Sequence, residues 1–236
     1  MTLTWLGQAG WLLRTRRGTQ IMIDPYLSDS LREEKGEAFR RRTPLRPELL
    51  SVQLDALVIT HSHADHLDWG TMRPLLAAQE KPPYILGPRS VWEALREKGA
   101  GGSELVLFQE GVQYTVEEVL LTAVPAVHSD PWAIGVTVEA EGKRLYHTGD
   151  TLYHQSLISP DTAGADTLLL PINGKGNNMN AADAARLTRV LAPRLAVPMH
   201  WDMFAAMGCD PAPYQKLLAG DSVEARVLEP YGELAL

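Results

Sequence analysis

Three histidines and two aspartates lie within one short segment of the chain. They form the string His61-x-His63-x-Asp65-His66, and Asp68 follows two positions later. Neutral imidazole and carboxylate are ligands for borderline-hard divalent metals such as zinc, manganese and iron. On one helix His61 and His63 would point about 200° apart, whereas at the end of a strand residues i and i+2 project to the same side. A polar surface turn is the alternative, but this order is improbable by accident, so the string predicts a metal site.

Three further residues of the same types occur where strand-like segments end. His128, Asp150 and His200 each follow a short run of strand-forming residues. Taken singly, each would be interpreted as an ordinary core or surface residue whose polar atoms are hydrogen bonded. Together they supply what the first cluster lacks, because three or four ligands cannot saturate two metals.

The segment 171–180 is rich in glycine and asparagine and leads into a predicted helix. Backbone N–H groups at a helix N-terminus, together with a lysine, can form an anion cradle. One interpretation is therefore that Lys175, Asn177 and Asn178 bind a phosphate group of the substrate. The other is that Asn180 caps the helix and that Lys175 is solvated. The spacing is not that of a P-loop.

Two histidines and the single cysteine remain to be interpreted. His147 has the opposite strand parity to Asp150, so we expect it to pack in the interior rather than bind metal. His154 lies just beyond that turn, where it is a candidate for contact with substrate. Cys209 precedes Asp210, an acidic neighbour that raises the pKa of a thiol, so a cysteine nucleophile is not expected.

The segments that must position these residues alternate between strand-like and helix-like patterns. Strands are predicted over residues 2–6, 11–14, 20–23, 56–60, 84–86, 105–108, 113–116, 119–124, 133–140, 144–148, 167–171 and 196–199, and helices over residues 31–39, 67–78, 90–98, 181–191 and 213–218. Glycines between the first three strands indicate an antiparallel meander. The arginines at positions 40–42 predict a solvated loop, with a ligand or partner patch as the alternative. About a dozen strands separated by helices favour two packed sheets with helices outside.

Composition limits the class of protein further. The chain has 236 residues, 45% of them hydrophobic, and a net charge of −7. We expect one domain over residues 1–236, because this is ample for a self-supporting core. The acidic balance disfavours nucleic acid as a partner, and no apolar run approaches the ~20 residues of a membrane span. One cysteine and no signal-peptide pattern predict a cytoplasmic protein.

At the level of motifs, the chain resembles the metallo-β-lactamase superfamily. That superfamily is marked by the His-x-His-x-Asp-His string followed by distant His, Asp and His residues. The resemblance runs from Thr4 to about Phe204 and is closer to the ascorbate-6-phosphate lactonase-like branch. Four segments carry it, at residues 5–10, 23–28, 147–151 and 198–204.

The resemblance implies an α/β fold, an αββα sandwich of two mixed sheets with helices outside. It implies two divalent metal ions per chain, manganese or zinc, with iron as a further candidate. One ion would be held by His61, His63 and His128, the other by Asp65, His66 and His200, and Asp150 would bridge them. Asp65 and Asp150 would be the catalytic carboxylates. Asp24 and Asp68 would orient the histidine ligands, since such carboxylates accept the free ring N–H; for Asp68 the alternative is a carboxylate at a helix start.

The function that the resemblance implies is hydrolysis of a small-molecule substrate by a hydroxide bridging two metals. The substrate class would be a sugar lactone, phosphorylated or not, and a homo-oligomer is compatible with the branch. Phosphodiester hydrolysis is the alternative within the superfamily. A metal-binding protein without turnover is the alternative from another class, and metal-dependent turnover would separate the two classes.

Overall fold

The computed structural model describes residues 1–236 and contains two seven-stranded sheets. The first sheet contains, in spatial order, β14 (Glu233–Ala235), β1 (Thr2–Gly7), β2 (Gly10–Arg14), β3 (Gln20–Ile23), β4 (Ala56–Val58), β5 (Tyr84–Gly87) and β6 (Leu105–Leu107). The second contains β13 (Glu224–Ala225), β12 (Leu195–Met199), β11 (Thr167–Pro171), β10 (Lys143–His147), β9 (Ile134–Ala140), β8 (Val119–Pro125) and β7 (Gln113–Val116). As predicted, β1, β2 and β3 form an antiparallel meander.

Five helices and three short 3-10 turns complete the fold. The helices are α1 (Ser30–Lys35), α2 (Trp69–Ala77), α3 (Arg89–Lys98), α4 (Ala181–Leu191) and α5 (Ala212–Leu217), and the 3-10 turns are Glu37–Phe39, Pro47–Ser51 and Gln155–Leu157. No helix combines the length and the apolar character that a bilayer crossing requires.

Strand alternation divides the buried side chains between two sides of each sheet. In β3, Ile21 and Ile23 belong to the cluster of 27 buried residues between the sheets, whereas Met22 belongs to the cluster beneath α2 and α3. Leu187 of α4 packs on the outer side of the second sheet. This is the period of two that a sheet covered on both sides requires. The predicted sandwich of two mixed sheets with helices outside is confirmed.

Two predicted element boundaries were wrong near the site. The helix predicted over residues 31–39 ends at Lys35, because Gly36 adopts a φ of 87° that breaks the helix before the next 3-10 turn. The strand predicted over residues 56–60 ends at Val58. His61 and His63 therefore lie in the loop after the strand, and strand alternation does not position them.

Parallel pairing brings the chemically active loops to one edge. β3 runs parallel to β4, and β10, β11 and β12 run parallel to one another. Their carboxyl ends therefore lead into the loops that begin at Asp24, Ile59, Thr148, Ile172 and His200. Loops held at the ends of such strands are where α/β folds place functional residues.

Candidate metal centre

Ring nitrogens of His61, His63 and His128 converge on one point. Nε2 of His61 lies 3.0 Å from Nδ1 of His63, and Nε2 of His128 lies 3.1 Å from the same atom. Burial lowers the pKa of all three rings, with neighbouring histidines contributing. The rings are therefore neutral at physiological pH, which is the state in which imidazole binds a metal.

A second group of donors lies beside the first. Asp65, His66 and His200 place one ligand atom each within 4.8 Å of one another. Oδ2 of Asp150 lies between the two groups, 3.1 Å from Nε2 of His200, 3.5 Å from Nε2 of His66 and 3.9 Å from Nε2 of His128. The seven residues predicted as ligands thus form two adjacent groups with one carboxylate between them.

Two buried atoms at this place have no hydrogen-bond partner, Nε2 of His66 and Oδ1 of Asp150. A buried polar atom without a partner costs about 1–3 kcal/mol, and a bound cation would satisfy both. The donor set of imidazoles and carboxylates without cysteine suits zinc, manganese or iron. The residues present therefore fit a divalent metal.

Without a metal, the neighbouring carboxylates raise the pKa values of His66 and His200, the two histidines of the second group. Burial alone would lower the pKa of His200, but Asp150 and Asp65 raise it to about 9. The same carboxylates, with Asp24, raise the pKa of His66 well above its ordinary value against the effect of burial. A metal binding here must displace protons from these rings.

Asp24 is fully buried and orients ligands of both groups. Its Oδ2 accepts from Nδ1 of His66 at 2.8 Å and from the hydroxyl of Thr60 at 2.5 Å. That hydroxyl lies 3.1 Å from Nδ1 of His61. A hydrogen bond at Nδ1 fixes the ring so that Nε2 faces the site.

Gly149 makes the turn that presents Asp150. Its φ is 64°, and a Cβ at this position would lie 2.4 Å from the carbonyl oxygen of Ile134. Only glycine therefore fits without a shift of the backbone. His147, as expected from its parity, faces away from the site: its Nε2 donates to the carbonyl of Ala9 and its Nδ1 accepts from the N–H of Gly149.

Sequence reasoning missed two polar residues at the second group, Gln8 and Asn173. Gln8, in the turn between β1 and β2, is 1% exposed; its Nε2 donates to Oδ2 of Asp65 at 2.7 Å and lies 2.9 Å from Nε2 of His200. The backbone carbonyl of Gln8 also accepts a hydrogen bond from the backbone N–H of His200. The side-chain amide of Asn173 lies 3.1 Å from Nδ1 of His200. A polar residue inside an otherwise apolar segment was the available signal for Gln8.

The expectation that Asp68 orients a histidine is corrected. Its carboxylate accepts from the N–H of Gly70 and from the hydroxyls of Ser28, Ser30 and Thr71. It is thus the N-cap of α2, the alternative given above, and it also holds the start of α1 against that helix.

The predicted phosphate cradle is corrected at its lysine. Nζ of Lys175 donates to the carbonyls of Ala206 and Gly208 and does not line the site. Asn178 is buried, donates to Oδ2 of Asp150 and accepts from the N–H of Thr151. Asn177 lines the site, and its backbone carbonyl accepts from Nδ1 of His128; its contact with substrate stays a prediction.

Asn180, by contrast, caps α4 through the N–H groups of Ala182 and Asp183, as one interpretation held. His154 does not line the site; it is exposed and caps the 3-10 turn that follows it. Cys209 donates to the carbonyl of Ile172, and burial raises the pKa of its thiol to about 11.

The arginine run is not uniformly solvated. Arg40 is exposed, but Arg41 is only 7% exposed. Its guanidinium donates to the carbonyls of Tyr26 and Ser28 and to Thr43. Arg41 therefore holds the segment after β3 against the body of the protein.

A pocket of about 320 Å³ opens onto the ligand atoms. Its floor includes His63, Asp65, Asp150 and His200, and one side is formed by Gly176, Asn177 and Asn178. Small-molecule sites have volumes of roughly 300–1,000 Å³. The pocket therefore suits a small substrate that reaches both groups of donors.

Comparison with known proteins identifies relatives in sequence and in fold. The family model described as "Beta-lactamase superfamily domain" matches residues 19–201. A UPF0173 metal-dependent hydrolase of Pyrococcus abyssi is 30% identical over 246 residues, covering 98% of each chain, and one of Thermococcus kodakarensis is 28% identical over 244 residues, covering 98% of each chain. Igni18, a metallo hydrolase of Ignicoccus hospitalis, has a TM-score of 0.78 at 24% identity and covers 99% of this chain and 97% of its own. The metallo-β-lactamase fold protein YhfI of Bacillus subtilis has a TM-score of 0.77 at 18% identity and covers 99% of each chain.

Proposed function

Because the chain belongs to the metallo-β-lactamase superfamily and is a metal-dependent hydrolase, we propose that it binds two divalent ions and hydrolyses a lactone or related ester. The observation that carries the proposal is the pair of donor groups with Asp150 between them, where Nε2 of His66 and Oδ1 of Asp150 are buried without partners. A single ion would leave one of the groups without a cation.

His61, His63 and His128 would hold one ion, Asp65, His66 and His200 the other, and Asp150 would contact both. When bound, the ions supply an activated water and a Lewis acid for the carbonyl oxygen. Manganese and zinc are the proposed occupants, and iron suits the same donors.

The protein's own residues contribute position and proton transfer. Gln8 fixes one oxygen of Asp65 by a hydrogen bond of 2.7 Å, and the Asp65 side chain lines the pocket. We assign Asp65 the role of taking a proton from the attacking water and returning it to the departing alkoxide. Asn178 holds Asp150 in place through a hydrogen bond of 2.9 Å.

For a lactone, the oxygen of water forms a bond to the carbonyl carbon and the ring C–O bond breaks. The alkoxide takes up the proton, so one hydroxy acid is the product. No protein nucleophile is required, in agreement with the raised pKa of Cys209.

Turnover by protein stripped with a chelator and reloaded with manganese or zinc tests the proposal. We expect hydrolysis of simple lactones or aryl esters only after reloading, with two ions bound per chain. Turnover of an aryl phosphodiester but of no lactone or ester would favour the phosphodiesterase alternative. Bound metal with no turnover of either class would favour a metal-binding protein without catalysis.

Asp65→Asn is the variant that tests the assigned proton transfer. We expect a large loss of turnover at saturating substrate that is greater than its loss of metal content. The matched control is Asp55→Asn, because the Asp55 carboxylate accepts from the N–H of Gln20 at the opposite end of β3. Equal turnover by wild type and Asp65→Asn with equal metal content would contradict the assignment.

A further inference from the structure

One side of the site pocket is apolar and takes no part in holding the metals. Leu31, Phe39, Phe204 and Met207 line it, next to Ala64. The same residues belong to a small hydrophobic cluster with Tyr26 and Met203. We call the four lining residues Leu31, Phe39, Phe204 and Met207 the apolar wall. A sugar would find no hydrogen-bonding side chain on this wall.

The apolar wall is built from two segments that are hydrogen bonded to each other. The N–H of Arg42 donates to the carbonyl of Met203 at 2.9 Å, and the N–H of Ala206 donates to the carbonyl of Ala38 at 3.0 Å. Asp68 further fixes the start of α1 through Ser28 and Ser30. The wall is therefore preformed, which reduces the entropy lost when a ligand binds.

Lys35, at the end of α1, is the only lysine or arginine that lines the pocket. Its Nζ lies 5.5 Å from the ring centre of Phe39. Glu37, the acidic residue of the next turn, pairs with Arg32 and Arg40 instead, and Lys35 is in no ion pair. The pocket thus carries one unpaired positive charge beside the apolar wall.

Resting on the proposed function, we infer that the substrate is a small amphipathic anion: an ester or lactone whose apolar part contacts the apolar wall and whose separate carboxylate reaches Lys35. Hydrolysis of such a lactone, or of an ester that carries the separate carboxylate on its acyl part, then yields one product with two carboxylates, one newly formed at the metal centre and one at Lys35. This differs from a sugar lactone with a phosphate at Lys175, because Lys175 donates to backbone carbonyls outside the pocket.

Product-like acids test the inference without any need for turnover. Calorimetric titration of the metal-loaded protein would compare glutarate, adipate and pimelate with the monocarboxylates of the same chain length. We expect one diacid to bind about three- to tenfold more tightly than its monoacid, between the values for an exposed ion pair and a buried charge-assisted bond. Lys35→Ala should abolish this preference and Lys35→Arg should retain it.

The matched control is Lys216→Ala. Lys216 is also an exposed lysine in the last turn of a six-residue helix, but it lies outside the pocket. It should leave the preference for the diacid unchanged. Equal affinity for diacid and monoacid at every length, including no binding of either, would overturn the role of Lys35, as would an equal loss in Lys216→Ala.

Chain length tests the apolar wall. Monocarboxylate affinity should rise by up to about fourfold per added CH₂ group, the value for complete burial, and Phe39→Ala should flatten this dependence. Hydroxylated acids that bind as tightly as alkyl acids of equal length would overturn the apolar part. Lactone turnover without any preference for charged substrates would refute this inference alone. A diacid preference without turnover of any ester or lactone would refute the proposed hydrolysis alone.

Discussion

Replacement of Asp24 by asparagine changes one buried oxygen that orients ligands in both donor groups. The carboxylate accepts from the N–H of Thr60 at 2.7 Å, from the hydroxyl of Thr60 at 2.5 Å and from Nδ1 of His66 at 2.8 Å. Asparagine keeps the shape but has one acceptor oxygen and an NH₂ group. Whichever way the amide turns, its NH₂ group faces a donor: the N–H of Thr60 if it replaces Oδ1, or Nδ1 of His66 and the hydroxyl of Thr60 if it replaces Oδ2. The second orientation releases the ring of His66, and both remove the negative charge that holds it.

The expected magnitude follows from the bond that is lost. A hydrogen bond to a charged group contributes about 1.5–3 kcal/mol and a neutral one about 0.5–1.5 kcal/mol. The difference of roughly 1–1.5 kcal/mol is about a tenfold change in a binding constant, since 1.4 kcal/mol is a factor of ten. Partners that orient metal ligands typically contribute about 10–100-fold to metal affinity. We therefore expect Asp24→Asn to bind metal at least about tenfold more weakly.

Competition between the metal-free protein and a chromophoric chelator measures this affinity, and thermal unfolding of the metal-free protein measures stability separately. Asp55→Asn is the control, because its carboxylate accepts a backbone N–H on the same strand pair at the end remote from the site. It should lower stability with little change in metal affinity. The reasoning is refuted if Asp24→Asn binds metal like wild type or if the two variants lose affinity equally.

Three further outcomes are expected. Asp150→Asn should keep the fold but lower the metal content, because an amide cannot supply the negative charge between the two proposed dications; two ions per chain by elemental analysis would contradict this. The pKa of His200 is raised to about 9 without metal, so its ion pairing stabilises the metal-free fold below about pH 6.5 and is lost as the pH rises through 9. Metal binding at pH 7.5 should accordingly release protons, and the number released should decrease above pH 9. Calorimetry in buffers of different ionisation enthalpy measures this number. A binding heat that does not depend on the buffer would contradict the proton release. Lys175→Ala should change the KM of phosphorylated and unphosphorylated substrates equally. A selective increase in the KM of the phosphorylated substrate in steady-state assays would instead support the interpretation that Lys175 binds phosphate.

The seven candidate ligands could be singled out from sequence because histidine and aspartate are residue types that bind divalent metals. A histidine or aspartate just beyond a strand has few roles. The end of β12 was predicted correctly at Met199, whereas β4 ends two residues earlier than predicted. The sheets were predictable for a similar reason, since the buried strands have apolar residues throughout. That the two donor groups lie side by side could not be predicted from the residues alone. It was predicted only from the family resemblance, and its structural cause is the parallel pairing of strands that are distant in sequence.

Residues that act through three-dimensional neighbours could not be found in this way. Gln8 and Asn173 contact His200 from different parts of the chain. The apolar surroundings of Gln8 mark it as unusual, but no local pattern shows that its partner is His200. Lys175 shows the opposite error: its local sequence resembles an anion site, but two backbone carbonyls of a distant loop take its ammonium group. Lys35 escaped notice because a charged residue in a short polar helix is ordinarily solvated.

The contact between Gln8 and His200 joins residues 192 positions apart, which has a consequence for the order of events during synthesis. The histidines of the first string leave the ribosome long before His200, so an early nascent chain can offer a metal only part of the ligand set. Long-range pairing of this kind is slow to form, because loop closure must precede the contacts that stabilise it. Both groups of donors are therefore complete only after the segment that carries His200 has been synthesised and has packed against Gln8.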